Sequence, residues 1–148
     1  MTELITTAVI TVSSVLLFGY WFRYTCLLIL STKTTQDYAS EVAAANQLGF
    51  LVVQSQLRTN STEFDKLRGQ LDRDYAVLTR LLSQTATQDG SGAETRMLAI
   101  NYRLMSAWYG VSSRFSAAAA RRALDEMSMV VAHFANVMGE QAACSAAA

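Results

Sequence analysis

The sequence predicts an all-α protein: a single N-terminal transmembrane helix followed by a helical hairpin or bundle with one long C-terminal helix. Three observations predict it. From Leu4 to Phe22 the chain is apolar and carries no charge. Proline is absent from all 148 residues, and proline is the residue that removes a helical backbone donor and clashes with the preceding turn. Beyond residue 37, apolar residues recur at three- and four-residue spacing, the period of a helix with one buried face.

The first element rests on length. About 19 residues from Leu4 to Phe22 rise roughly 28 Å at 1.5 Å each, close to the hydrocarbon thickness of a bilayer. Nothing in the run is more polar than threonine and serine, whose hydroxyls can return to the helix's own carbonyls. A start reading Met1-Thr2-Glu3, without a basic residue and without a small-residue cleavage site behind the run, disfavours a removable signal segment. Residues 1–31 are therefore read as a membrane anchor.

Tyr20, Trp21, Arg23 and Tyr24 follow the run. Aromatic rings with a polar handle favour the headgroup boundary, and an arginine there reaches phosphates while its stem stays in lipid. These four residues are the expected membrane interface. Arg23 and Lys33 flank the C-terminal side and only Glu3 the other, so positive charge places the body in the cytoplasm and the N-terminus outside, in an inner (cytoplasmic) membrane.

Residues 32–148 are expected to form a water-soluble helical domain with helices at about 37–58, 62–86 and 94–140. In the first, Tyr38, Val42, Ala45, Val52 and Val53 share an arc. Thr59-Asn60-Ser61-Thr62 interrupts it, and Asn60 with Glu63 three residues on has the pattern of a capped helix start. In the second, Phe64, Leu67, Leu71, Tyr75, Leu78 and Leu82 form an apolar stripe opposite Lys66, Arg73 and Arg80. Gln88-Asp89-Gly90-Ser91-Gly92 is the strongest turn signal and predicts an antiparallel hairpin.

The last helix carries two stripes. Met97, Ile100, Leu104, Trp108, Val111 and Phe115 form one, which the second helix is expected to cover. Leu98, Tyr102, Met105 and Tyr109 form the other, about 120° round; it runs on as Leu124, Met127, Val131, Phe134 and Met138 at the seam spacing of a coiled coil. If the helix is straight, as Ala117–Ala120 favour, those five residues project as an exposed interaction edge. If it breaks near Ser112-Ser113, the last segment folds back into an ordinary bundle.

Composition restricts function. Twelve basic and twelve acidic residues leave no net charge to attract nucleic acid. Two cysteines cannot build a disulfide framework or a four-ligand zinc site. The sole histidine, His133, lacks the Glu three residues before it that a di-iron bundle needs; it is read as solvated, beside Glu126 and Glu140. Trp108 and Tyr109 are read as core, and Arg121-Arg122 as pairing with Asp125-Glu126 on a solvated face. No cofactor, metal, nucleic acid or small-molecule substrate is expected, and no enzyme activity. The expected function is a membrane-anchored scaffold or accessory subunit of a larger membrane assembly or homo-oligomer, in contact with the lipid bilayer and acting through helix–helix contacts. The alternative is a small ligand- or cofactor-holding bundle using Trp108, Tyr109 and His133.

Overall fold

The computed structural model describes residues 1–32, 36–60, 62–85 and 92–148. Among them are six helices and no strand: α1 Thr2–Ser31, α2 Ala39–Asn46, α3 Phe50–Arg58, α4 Phe64–Thr85, α5 Gly92–Ser112 and α6 Ala117–Ala147. The all-α expectation is met. The chain divides into two compact units, Met1–Thr32 and Lys33–Ala148.

The first unit is α1 alone. Its 30 residues rise about 45 Å, so the helix runs past Phe22 and carries Leu27–Leu30 as well. It is long and apolar enough to cross a membrane, and every residue from Met1 to Trp21 is exposed. Its threonines bond backward as expected: Thr6, Thr7 and Thr11 donate to the carbonyls of Thr2, Glu3 and Thr7 at 2.8–2.9 Å.

The second unit is built around α6, which packs against α2, α3, α4 and α5. Its buried residues, from Ala120 and Ala123 to Ala135 and Gly139, cover an arc of roughly 220° at 100° per residue. That is the pattern of a central helix. Small residues permit the close approach: a Cβ on Gly139 would collide with the Cβ of Tyr38 at the start of α2.

The expected 37–58 helix is two helices. Gln47 adopts a left-handed conformation, φ 53°, and the Leu48 amide donates to the Ala43 carbonyl at 2.9 Å, closing α2. Gly49 then precedes α3. Of the expected arc, Val42 and Val53 are buried and Tyr38 is half-buried, whereas Ala45 and Val52 are exposed.

Both short helices are capped from elsewhere in the bundle. Asn136 of α6 accepts from the amides of Tyr38 and Ala39 at 2.8 and 3.0 Å. Asp74 of α4 accepts from the Gly49 amide at 2.8 Å. At the far end of α3, Arg121 donates to the Leu57 carbonyl and to Asn60 Oδ1. Asn60, expected to start α4, is instead a left-handed residue behind α3, φ 61°. Helix ends leave free amides and carbonyls that need such partners.

The expected 94–140 helix is also two. After Ser112 the chain tightens, Arg114 and Phe115 donating to carbonyls three residues back at 3.3 and 3.0 Å. Ser116 is extended, φ −153°, and its hydroxyl accepts from the Ala119 amide at 3.3 Å. Ser116 is thus the N-cap of α6, and the four alanines are its first turn rather than a bridge through the break. The glycine turn is outside the described residues except for Gly92.

The fold-back corrects the interaction edge. Leu124, Met127, Val131 and Phe134 are fully buried inside the chain's own bundle and Met138 is half-buried, so no projecting seam is formed. Of the two α5 stripes expected to be covered, one is and the other is not. Leu98, Tyr102, Met105 and Tyr109 are buried, whereas Ile100, Leu104, Val111, Trp108 (52 %) and Phe115 (83 %) are exposed.

Candidate functional site

α4 meets α5 through long side chains, in a register that shows the two helices to be antiparallel. Asp65 accepts from the Tyr109 hydroxyl at 2.8 Å, Arg68 Nη2 donates to Ser106 Oγ at 3.1 Å, and Asp72 accepts from the Tyr102 hydroxyl at 2.8 Å. As one number rises by three or four, the other falls by the same amount. Arg68 also lies over the Tyr109 ring at 5.2 Å and 3.7 Å from Asp72. Tyr75 stacks on Tyr102 at 3.9 Å and 1°, and against Phe134 at 5.9 Å.

This seam ties α4 to α5 through protonated tyrosines. Burial, then the hydrogen bond to Asp65, pushes the Tyr109 hydroxyl up to about 12. Burial and Asp72 push Tyr102 up as well. Both remain protonated donors at neutral pH. The seam also explains which α5 stripe is buried, since the tyrosines find carboxylates only on that side. Complementary rows in the sequence, Asp65-Arg68-Asp72 and Tyr102-Ser106-Tyr109, carried that signal.

A second buried polar contact joins α5 to α6, where Asn101 Nδ2 donates to Glu126 Oε1 at 2.7 Å. Glu126 is therefore a buried acceptor and not part of a solvated face. Arg121 likewise turns inward to α3 and lies over the Phe64 ring at 5.7 Å. His133 is half-buried, and burial lowers its basicity against the pull of Glu94 and Glu140. No group of three or more metal-ligating side chains is gathered among the described residues. Trp108 and Tyr109 do not form one ligand wall, because Tyr109 is buried on Asp65 and Trp108 opens to solvent.

Two surfaces remain that packing does not explain. One is α1, where Tyr20, Trp21 and Tyr24 are exposed, Arg23 is half-buried, and the Tyr20 and Tyr24 rings stack at 6.4 Å. The other is the α5 stripe Ile100, Leu104, Trp108 and Val111, about three turns of large apolar side chains at helical spacing, with Phe115 exposed in the turn beyond the helix. Scattered exposed apolar residues are ordinary, but a contiguous patch marks an interaction surface. Exposed Arg96 and Arg103 lie along one side of it, and Arg114 is exposed in the turn after the helix.

An open groove between α3 and α4, about 270 Å³, is lined by Gly49, Val52, Gln56, Lys66 and Gln70 among others. It holds no convergent set of reactive groups. No protein-family model matches this chain, and neither a curated protein nor a solved structure is similar to it.

Proposed function

We propose that this chain is a membrane-anchored helical module, an accessory or scaffolding subunit of a membrane-associated assembly. α1 spans the bilayer, and the bundle engages the assembly through the exposed face of α5. The observation that carries the reading is α1 itself. A helix 30 residues long whose residues from Thr2 to Trp21 are all exposed has its apolar surface matched by hydrocarbon and by nothing within its own unit. The Tyr20–Tyr24 cluster supplies the interfacial belt, and Arg23 reaches phosphates from it. The charge asymmetry of Glu3 against Arg23 and Lys33 favours a cytoplasmic bundle.

The geometry gives no support to catalysis as the role. Asp74 and Asn136 act as caps, Asp65 and Asp72 hold the tyrosines of the α4–α5 seam, and Glu126 holds Asn101.

Topology is tested with thiols. Cys144 is exposed and Cys26 buried, so a Cys26→Ala background makes Cys144 the reporter. In membranes extracted at alkaline pH the protein should stay with the lipid. In intact cells a membrane-impermeant maleimide should leave Cys144 unlabelled until lysis. Release by alkali would remove the anchor, and labelling before lysis would reverse the orientation.

A further inference from the structure

The α5 face has a second property besides being apolar. Between Gly92 and Phe115 there are three arginines and a single acid, Glu94 in the first turn. On the wheel of α5, Arg96 and Arg103 fall within about 20° of one another, roughly 90° from the centre of the Ile100–Val111 stripe; Arg114 follows in the turn after the helix. All three are exposed. The opposite flank is Asn101, Met105 and Ser112, which are buried, with Glu94 exposed at its first turn. Past its first turn, the free surface of α5 is therefore an apolar stripe whose charged border is basic.

This border decides the occupant. In an antiparallel pairing of α5 with α5 of a second copy, each flank meets its own counterpart. Arg96 and Arg103 of the two copies would then share one flank of the contact, which like-charge repulsion opposes. An anionic lipid surface satisfies both parts at once. Acyl chains take Trp108, Leu104 and Val111, while headgroup phosphates take guanidinium groups that form charge-assisted bonds with them. A tryptophan at the middle and a phenylalanine at the end suit the headgroup boundary.

We propose that α5 is an interfacial helix that lies on an anionic bilayer surface, giving the bundle a second membrane contact besides α1. This rests on the reading of α1 as a span, which puts the same chain at a bilayer and raises the local lipid concentration. One weakly held face suffices once the tether is in place.

The test uses the two tryptophans, Trp21 in α1 and Trp108 in α5, as separate reporters. Full-length Trp21→Phe protein is reconstituted into vesicles of phosphatidylcholine with phosphatidylglycerol, or of phosphatidylcholine alone, each with brominated acyl chains. Trp108 fluorescence should be blue-shifted and quenched in the anionic vesicles. Quenching should weaken in the neutral ones and in high salt. The triple variant Arg96→Gln, Arg103→Gln, Arg114→Gln should lose it, each arginine weighing about fivefold in the bound-to-free ratio. Unchanged circular dichroism would show that the bundle is intact.

Trp108 left unquenched while Trp21 of a Trp108→Phe companion is quenched would overturn the interfacial helix and leave the anchor standing. If neither is quenched, both readings fall. Equal quenching in neutral and anionic vesicles would overturn the basic border's role in selecting the surface. Shielding of Trp108 that grows with protein-to-lipid ratio, without quenching by lipid, would assign the face to another protein chain and overturn the proposal.

Discussion

Asp74 shows how much of this fold is held by single polar side chains acting at a distance in sequence. It lies in the middle of α4, is buried, and accepts the Gly49 amide that starts α3. Burial raises its affinity for a proton, while the amides of Gly49 and Phe50, Gln70 and Arg73 pull the other way and do not prevail. A carboxyl whose folded value lies above its unfolded value contributes stability that is full at low pH and lost as pH rises through the folded value. Asp74→Asn keeps an acceptor for Gly49 without a buried charge. It should therefore melt at or above the wild-type temperature at pH 7, and the gap should close on acidification toward the ordinary carboxylate range. Asp74→Ala leaves the α3 amides without an acceptor and should cost about 1–2 kcal/mol by denaturant unfolding. An alanine variant as stable as wild type would show that the cap is idle. The same holds for Asn136 over α2. Neither cap was legible in the sequence, because a residue 25 or 98 positions away leaves no local pattern. The α4 stripe was legible, since Leu67, Leu71, Leu78 and Leu82 at helical spacing are all buried as expected.

At the scale of elements, the breaks decide the architecture. Periodicity continues without a visible break across Gln47–Gly49, and across Ser113–Ser116 it admits both a straight helix and a fold-back near Ser112-Ser113; in both places the chain turns. The signals present were one glycine after a left-handed glutamine and one serine before an alanine run. Helix propensity of Ala117–Ala120 was read as opposing a turn, yet strong helix formers start a helix as readily as they continue one. Ser116→Ala removes the hydroxyl that accepts the Ala119 amide and should lower stability by about 1 kcal/mol. Ser116→Asp should not lower it, because aspartate is as good a cap and complements the positive helix end. Equal stability of the alanine variant would mean that tertiary packing alone holds the break. Reading the two apolar stripes of the last third was harder for a physical reason. Once a helix breaks, the angular phase of its halves is unrelated, so a stripe that continues numerically need not continue in space. Leu124 to Phe134 became the core of a central helix, and the α5 stripe thought to be core stayed outside.

The whole molecule combines an apolar helix with a bundle whose one central helix touches every other helix of its unit. That arrangement accounts for burial of Leu124, Met127, Val131 and Phe134 and for the exposure of the α5 stripe, and it moves the candidate contact surface from α6 to α5. The all-α class and the apolar N-terminal helix were legible from composition and run length. The partition of apolar surface between inside and outside was not, because it depends on where α6 lies. That partition is tested most directly by placing charge on each surface in the full-length protein and following thermal unfolding by circular dichroism. Phe134→Asp buries a charge in the bundle core, where no partner compensates it, and should abolish cooperative unfolding. Trp108→Asp places the same charge outside the bundle core and, in detergent without anionic lipid, should change stability by no more than about 0.5 kcal/mol. Loss of cooperativity in the Trp108 variant with an intact Phe134 variant would contradict the fold-back and return the α5 stripe to the core.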